Sequence, residues 1–446
     1  RKIPLTGFVL LVRILMAIKV ENPKRRFMKS FHYKINNRIM LCMGLCSCLV
    51  GQQPIEILDQ YIQTALDNNS AVKHSFSVWK SEESKIATAK GLPNPTVSFG
   101  YFLENVETAA GPQEYKIGLN QKIPFFGKRT HTSRIQSAQS KKAYYLYQKR
   151  QLVIMDNVRS TWLDTYYLSR LTDLTQQNFD LVKNWDGVIR SKYITSRTSH
   201  PDLIKTQIEL IQLEDDLRSL ENRKKPILKK FGSLLNQDSI DEIVVPDSLT
   251  AVVIPIEREI LIQKIEKSNS DLKMAEVEIE KRKLQVKLSK LNRMPDVAIG
   301  VEKIGTGKKV SSPFSGKDPL VAKVSLDLPI WFGKNKSTIQ SASYGKNAAE
   351  DHFNTTRNEL EVQLEKVIYD LEESSRQIQL YRDVLIPKGL ESLGVTEIAY
   401  RTDKIDFIAL VDAQRRLLQF QMKYEKAVVD YLKAQSRLSL LTGELL

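Results

Sequence analysis

The chain repeats itself at domain scale, and that constrains its fold more than any other feature. Asn69-Ser70 recurs as Asn269-Ser270, and Asn94-Pro95-Thr96-Val97 recurs as Met294-Pro295-Asp296-Val297, both 200 residues on. Phe126-Gly127-Lys128 returns as Phe332-Gly333-Lys334 at an offset of 206, and Tyr193 and Thr206-Gln207 return as Tyr400 and Ala413-Gln414 at 207. Offsets that hold within segments mark a true duplication, and their steps are expected to fall in loops. A period near 200 is too long for a solenoid, so the expected units are residues 54–250 and 251–446.

Both units read in the same order. A helical stretch (54–90 and 256–292) runs to a proline, then come two short alternating segments, then Phe-Gly-Lys and a very long helical stretch. Val97, Phe99 and Tyr101 interleave with Ser98 and Gly100, and Ile117 and Leu119 with Lys116, Gly118 and Asn120. In the second unit Val297, Ile299 and Val301 alternate with Ala298 and Gly300, and Val324, Leu326 and Leu328 with Lys323, Ser325 and Asp327. This period of two predicts strands at about 96–103, 114–123, 296–302 and 320–328, each with one apolar face, paired across loops 104–114 and 302–319.

After each Phe-Gly-Lys the chain runs without a turn signal over 128–195 and 334–402, interrupted only by Pro387. At 1.5 Å per residue each helix reaches ~100 Å. Return helices follow at 201–235 and 406–442. Leu410, Ala413, Leu417, Phe420, Tyr424, Ala427, Tyr431, Ala434, Leu438 and Leu441 step by three and four, and Leu203, Leu210, Leu213, Leu217, Leu220, Ile227, Phe231 and Leu234 fit the same register. Such heptads predict antiparallel coiled-coil hairpins.

Charge removes other classes. The chain carries 67 Lys+Arg against 52 Asp+Glu, but residues 1–51 hold ten of the bases and one acid, leaving 57 against 51 for the remainder. That near balance does not suit a nucleic-acid binder. All three cysteines, Cys42, Cys46 and Cys48, lie within seven residues, and the five histidines are scattered. No catalytic constellation emerges, so neither a cofactor nor a bound metal nor enzymatic activity is expected.

Residues 28–51 read as a signal peptide: Lys29, Lys34 and Arg38, then the apolar run Ile39 to Val50, then a polar stretch. Residues 1–27 are expected to be an upstream extension. Two processing routes remain open, lipidation of Cys48 in the lipobox-like Leu45-Cys46-Ser47-Cys48, and ordinary cleavage near Gly51 or Gln52.

Leu92-Pro93-Asn94-Pro95, Gly111-Pro112-Gln113, the stretch Pro124 to Lys128, Pro329 to Lys334 and Leu410-Val411-Asp412-Ala413-Gln414 occur in an order that resembles the TolC-like outer membrane efflux proteins. The Asn-Pro, Gly-Pro-Gln and Phe-Gly-Lys motifs look most like the branch serving heavy-metal and cation efflux. This resemblance implies an α+β membrane protein of the Gram-negative outer membrane, reaching into the periplasm. It implies a homotrimer in which each chain gives four strands to a 12-stranded β-barrel and its helices to an α-barrel. The partners implied are a periplasmic adaptor, an inner-membrane efflux pump and outer membrane lipid, and the function implied is passive conduction to the exterior. The lipid-facing residues would be Val97, Phe99, Ile117, Leu119, Val324 and Leu326. Hairpin tips carrying Ser196, Arg197, His200, Arg401, Asp403 and Lys404 would meet the adaptor. Tyr400 and Asp412 would stand at the periplasmic constriction, although Tyr400 also reads as packing and Asp412 as a solvated acid. The rival reading is a secreted coiled-coil structural or adaptor protein with no channel activity.

Overall fold

A computed structural model describes residues 54–194, 200–253, 255–310, 313–402 and 404–443. The expected extension 1–27, the signal peptide with Cys48, and Ser196, Arg197 and Asp403 lie outside the described residues. The first repeat contains α1 (Pro54–Asn68), α2 (Ser70–Lys90), β1 (Thr96–Thr108), β2 (Gly111–Ile123), α3 (Lys128–Ile194) and α4 (His200–Leu235). The second contains α5 (Arg258–Ser268), α6 (Ser270–Leu291), β3 (Asp296–Thr306), β4 (Leu320–Asp327), α7 (Phe332–Gln379), a π turn (Leu380–Leu385), α8 (Ile386–Arg401) and α9 (Phe407–Thr442).

The Asn-Ser pairs explain themselves as helix breaks. Asn69 Oδ1 accepts the Ala71 N–H at 2.9 Å, and Asn269 Oδ1 accepts those of Asp271 and Leu272 at 2.9 and 3.1 Å, the usual satisfaction of free N–H groups at a helix start. Each buried side chain also donates through Nδ2 to the end of its own repeat's return helix, Asn69 to the Leu234 carbonyl and Asn269 to that of Leu441, both at 2.9 Å. One amide therefore caps one helix and ties it to another, in both copies.

The four strands form one antiparallel sheet in the order β1-β2-β3-β4, leaving β1 and β4 as edges. The hairpins are longer than the alternation indicated. β1 and β2 close on a two-residue turn at 109–110 rather than an eleven-residue loop, and β3 continues to Thr306. A register shift between Tyr101 and Val106 breaks the side-chain period at Phe102-Leu103, which hid the rest of β1. In β3 the period is masked by Lys303, which lies on the apolar face and pairs with Asp318 at 3.0 Å.

Helices sit side by side in a ribbon. Toward the sheet α3 packs against α2 and α6, and α6 against α7; toward the tips α3 packs against α4 and α9, and α9 against α7 and α8. The two repeats meet along α3 and α9, so α9 is buried on two faces: its heptad seam, and a second side bearing Gln414, Glu425, Val429 and Ser436 that the heptads did not reveal. One core cluster joins Leu360, Leu364 and Leu371 of α7 to Tyr431 and Leu438 of α9. Its first-repeat counterpart joins Val158, Trp162 and Tyr166 of α3 to Phe231 of α4.

The expected single helix over 334–402 is corrected by the π turn. Its last bond runs from the Ile386 N–H to the Tyr381 carbonyl, five residues back. The repeat offset is 206 at Phe332 and 207 at Tyr400. The step thus falls inside a helix and not in a loop: one extra residue is absorbed by one wide turn, which keeps the seam on the same side. Pro387 follows in the first turn of α8, where its missing N–H is least costly. The uninterrupted α3 has neither feature.

The duplicated Phe-Gly-Lys differs between copies. Gly127 has φ +90° before α3, a conformation L side chains rarely adopt, whereas Gly333 lies within the first turn of α7 with open space at its Cβ position. Gly127→Ala is expected to destabilise the chain by ~1–2 kcal/mol, and Gly333→Ala to be neutral or to stabilise by up to ~1 kcal/mol. Thermal unfolding of the two variants in detergent checks this; equal effects would show that the corners are alike.

Candidate functional site

The sheet has two chemically distinct faces. Cross-strand pairing aligns Val97 with Leu119 and Val301, and Phe99 with Ile117, while Ile299 pairs with Val324 and Val297 with Leu326. All six expected apolar residues, Val97, Phe99, Ile117, Leu119, Val324 and Leu326, therefore share one face. It is uncovered: Phe99 is 69% and Val324 73% exposed. The reverse face carries Ser98, Lys116, Asn120, Glu302, Lys323 and Ser325, with Lys323 paired to Glu302 and Lys122 to Asp327 at 2.9 Å. Gly100, Gly118 and Gly300 also lie on it, against Lys116, Ser98 and Asn120 respectively. An apolar face of this extent open to water is untenable for an isolated sheet, and a polar reverse excludes a second core behind it.

At the strand ends nearest the helices stand Phe125, Phe126, Trp331 and Phe332, all exposed. Asp296 fastens this corner, accepting from Lys128 Nζ at 2.7 Å and from the Phe125 N–H at 2.8 Å. Further along, Glu278 of α6 receives Lys142 of α3 at 2.9 Å and Lys281 at 2.7 Å. Burial raises its pKa, but hydrogen bonds from these two lysines outweigh that and hold the carboxyl at about 2.

The seam between repeats holds polar links that the sequence did not single out. Asp156 accepts from Ser436 at 2.7 Å, Asp164 pairs with Lys433, and buried Glu425 accepts from Tyr166 at 2.8 Å and Arg170 at 3.0 Å. Burial first, and then the Glu425 carboxylate, push the Tyr166 hydroxyl pKa up. Nearer the tip, Arg415 of α9 makes a two-pronged contact with buried Glu209 of α4. Acids at heptad-flanking positions were the available signal, but acids are common on every helix of the chain.

At the tip, Tyr400 is 7% exposed and belongs to a cluster with Val182, Trp185 and Ile189 of α3 and Phe407 and Leu410 of α9. Its ring lies 5.6 Å from that of Phe407, and Lys192 Nζ stands 4.6 Å over it while donating to the Tyr400 carbonyl at 3.3 Å. Asp412, on the same helix as Leu410, is exposed. His200, Arg401 and Lys404 are exposed, with the His200 ring 5.6 Å from that of Tyr193 and Arg401 paired to Glu397 at 2.6 Å.

Residues 261–444, most of the second repeat, match the family described as outer membrane efflux protein. By that match the second repeat resembles the outer membrane efflux proteins. Over 376 residues it is 20% identical to the cobalt-zinc-cadmium resistance protein CzcC of Cupriavidus metallidurans, covering 82% of this chain and 85% of that one. Its fold is shared by the outer membrane protein VceC of Vibrio cholerae, with a TM-score of 0.73 at 14% identity over 87% of this chain and 96% of that one. CusC gives 0.74 at 11% identity over 87% and 92%. The chain thus carries two helical-hairpin repeats and four antiparallel strands whose apolar face suits the outer membrane.

Because the Tyr400 ring fills core volume, Tyr400→Phe is expected to preserve the tip, whereas Tyr400→Ala should loosen it by about 3 kcal/mol. Hydrogen exchange of the amides from Phe407 to Leu410 reads the difference; unchanged protection in the alanine variant would remove the packing role.

Proposed function

We propose that this efflux protein is the passive exit duct of a tripartite pump, a homotrimer that conducts its cargo from the periplasm to the exterior. The observation that carries this reading is that the molecule is open at both edges along its length. β1 and β4 end the sheet, α2 and α7 end the ribbon near it, and α4 and α8 end it near the tips. In lipid an unpaired strand edge leaves backbone groups with no partner, at several kcal/mol each, and four strands are half of the smallest membrane barrel. Three copies, each pairing β4 with the next β1, give twelve strands and no edge. Helix edges support the same closure: Ile204, Ile208 and Ile211 form an exposed apolar stripe on α4, and Val395 and Ile398 are exposed on α8. A secreted coiled-coil scaffold would account for the hairpins but would leave the apolar sheet face in water.

On this reading residues 54–250 and 251–446 are the two repeats, preceded by the signal peptide at 28–51. The inner-membrane pump supplies energy and the periplasmic adaptor docks on the hairpin ends, where His200, Arg401 and Lys404 are exposed; Ser196, Arg197 and Asp403, which lie outside the described residues, are the further adaptor-contact residues of this reading. Heavy-metal cations are the cargo favoured by the motif wording and by the likeness to CzcC. No enzymatic step is required of the chain.

Tyr400 stands at the periplasmic constriction on this reading, where its ring packs the hairpin tip against Phe407. Asp412 stays exposed while neighbouring Arg415 is engaged by Glu209, so three copies would present an acidic ring that favours cations. Planar-bilayer recordings of the purified protein test the reading. Discrete conductance steps are expected, with lower cation selectivity in Asp412→Ala at unchanged oligomeric state. Absence of conductance from a folded, membrane-inserted protein would contradict the duct, and unchanged selectivity would return Asp412 to a solvated acid.

A further inference from the structure

Where the end of α2, the end of β2 and the start of α3 meet, the surface opens into a cleft of about 590 Å³. Lys90, Arg129 and Arg134 line it, with Ile123, Phe125 and Phe126 as its apolar lip, and no carboxylate lines it among the described residues. Lys128 next door is neutralised by Asp296 at 2.7 Å, but Lys90, Arg129 and Arg134 form no ion pair among the described residues. Arg129 donates through Nη2 to the Lys90 carbonyl, while its buried Nε has no acceptor among the described residues.

The placement is electrostatically adverse unless an anion joins it. The first turn of α3 holds no acidic residue, although the positive end of a helix favours one, and it holds Lys128 and Arg129 instead. The fold does not demand this. At the offset of 206, Asn335 and Gln340 stand where Arg129 and Arg134 do and Lys336 where Thr130 does, so the second repeat turns its strand-to-helix corner with one base fewer and without either arginine.

Position identifies the anion. The cleft is continuous with the apolar sheet face and level with Phe125, Phe126, Trp331 and Phe332, the aromatic residues at the helix-side boundary of the strands. Phosphate groups of the adjoining leaflet lie at that depth. We propose that the cleft binds an anionic phospholipid of the leaflet nearest the helices. Its phosphate meets Arg129, Arg134 and Lys90, and its acyl chains lie along Ile123 and Phe126. Arginine forks suit phosphate oxygens, and an apolar lip distinguishes a lipid from a free ion. This inference rests on the sheet being a membrane wall.

Native mass spectrometry of the detergent-purified protein, titrated with phosphatidylglycerol or phosphatidylcholine, tests it. Phosphatidylglycerol should be retained preferentially, and Arg129→Asn with Arg134→Gln, the residues of the second repeat, should weaken it roughly 30-fold. Lys336→Gln with Lys346→Gln, which removes the same charge elsewhere, should leave retention as in wild type, and millimolar inorganic phosphate should displace little lipid. Equal retention of the two lipids, unchanged binding in the arginine variant, or displacement by inorganic phosphate as effective as by lipid would overturn the proposal. Failure of the membrane-wall reading shows separately, as a wild-type protein that stays monomeric without detergent.

Discussion

Everything above the tips depends on one rule of the bilayer interior: a backbone N–H or C=O has no water to turn to and must pair with another backbone group. Four antiparallel strands satisfy three seams and leave the outward groups of β1 and β4 unpaired. The apolar face formed by Val97, Phe99, Ile299 and Val324 makes lipid the only solvent that suits the sheet, and that solvent is the one in which edges cost most. On the proposed reading, closure with further copies resolves this tension. The long hairpins then have to run together from a shared base, which the helix breaks at Asn69 and Asn269 hold in equivalent positions in both repeats.

Much of this was legible in the sequence because duplication prints the same physical need twice. Alternation exposed the strands, and heptads exposed the seam of α9 from Leu410 to Leu441. What the pattern lost, it lost for local reasons. The bulge after Tyr101 and the lysine at 303 each break a two-residue period without ending the strand. Reading steps of the repeat offset as loops failed at one place, since a π turn accepts one residue inside a helix and leaves no turn residue to betray it.

The functional surfaces were legible unevenly. The apolar strand residues were found because each is one of a series, whereas Tyr400 and Asp412 stood alone, and a lone tyrosine near a helix end does not declare whether it packs or projects. The structure buries its ring against Phe407 with Lys192 over it, contacts between residues far apart in the sequence that no local pattern could show. Glu209 with Arg415, and Glu425 with Tyr166 and Arg170, went unnoticed because the partners are more than 200 residues apart and ordinary in type. The Arg129 and Arg134 cleft was visible only as a departure of one repeat from the other, Asn335 and Gln340 standing in their places.

Closure of the sheet by neighbouring copies is the central claim, and cross-linking of its two edges tests it most directly. With Cys42, Cys46 and Cys48 replaced by serine, a cysteine at Ser98 on β1 is combined in turn with one at Val321, Lys323 or Ser325 on β4, all on the polar face. The account predicts that one of the three pairings forms a disulfide between protomers in outer membranes and yields covalent dimers and trimers under denaturing conditions. Monomers at every pairing, or a disulfide joining β1 and β4 of the same chain, would contradict it.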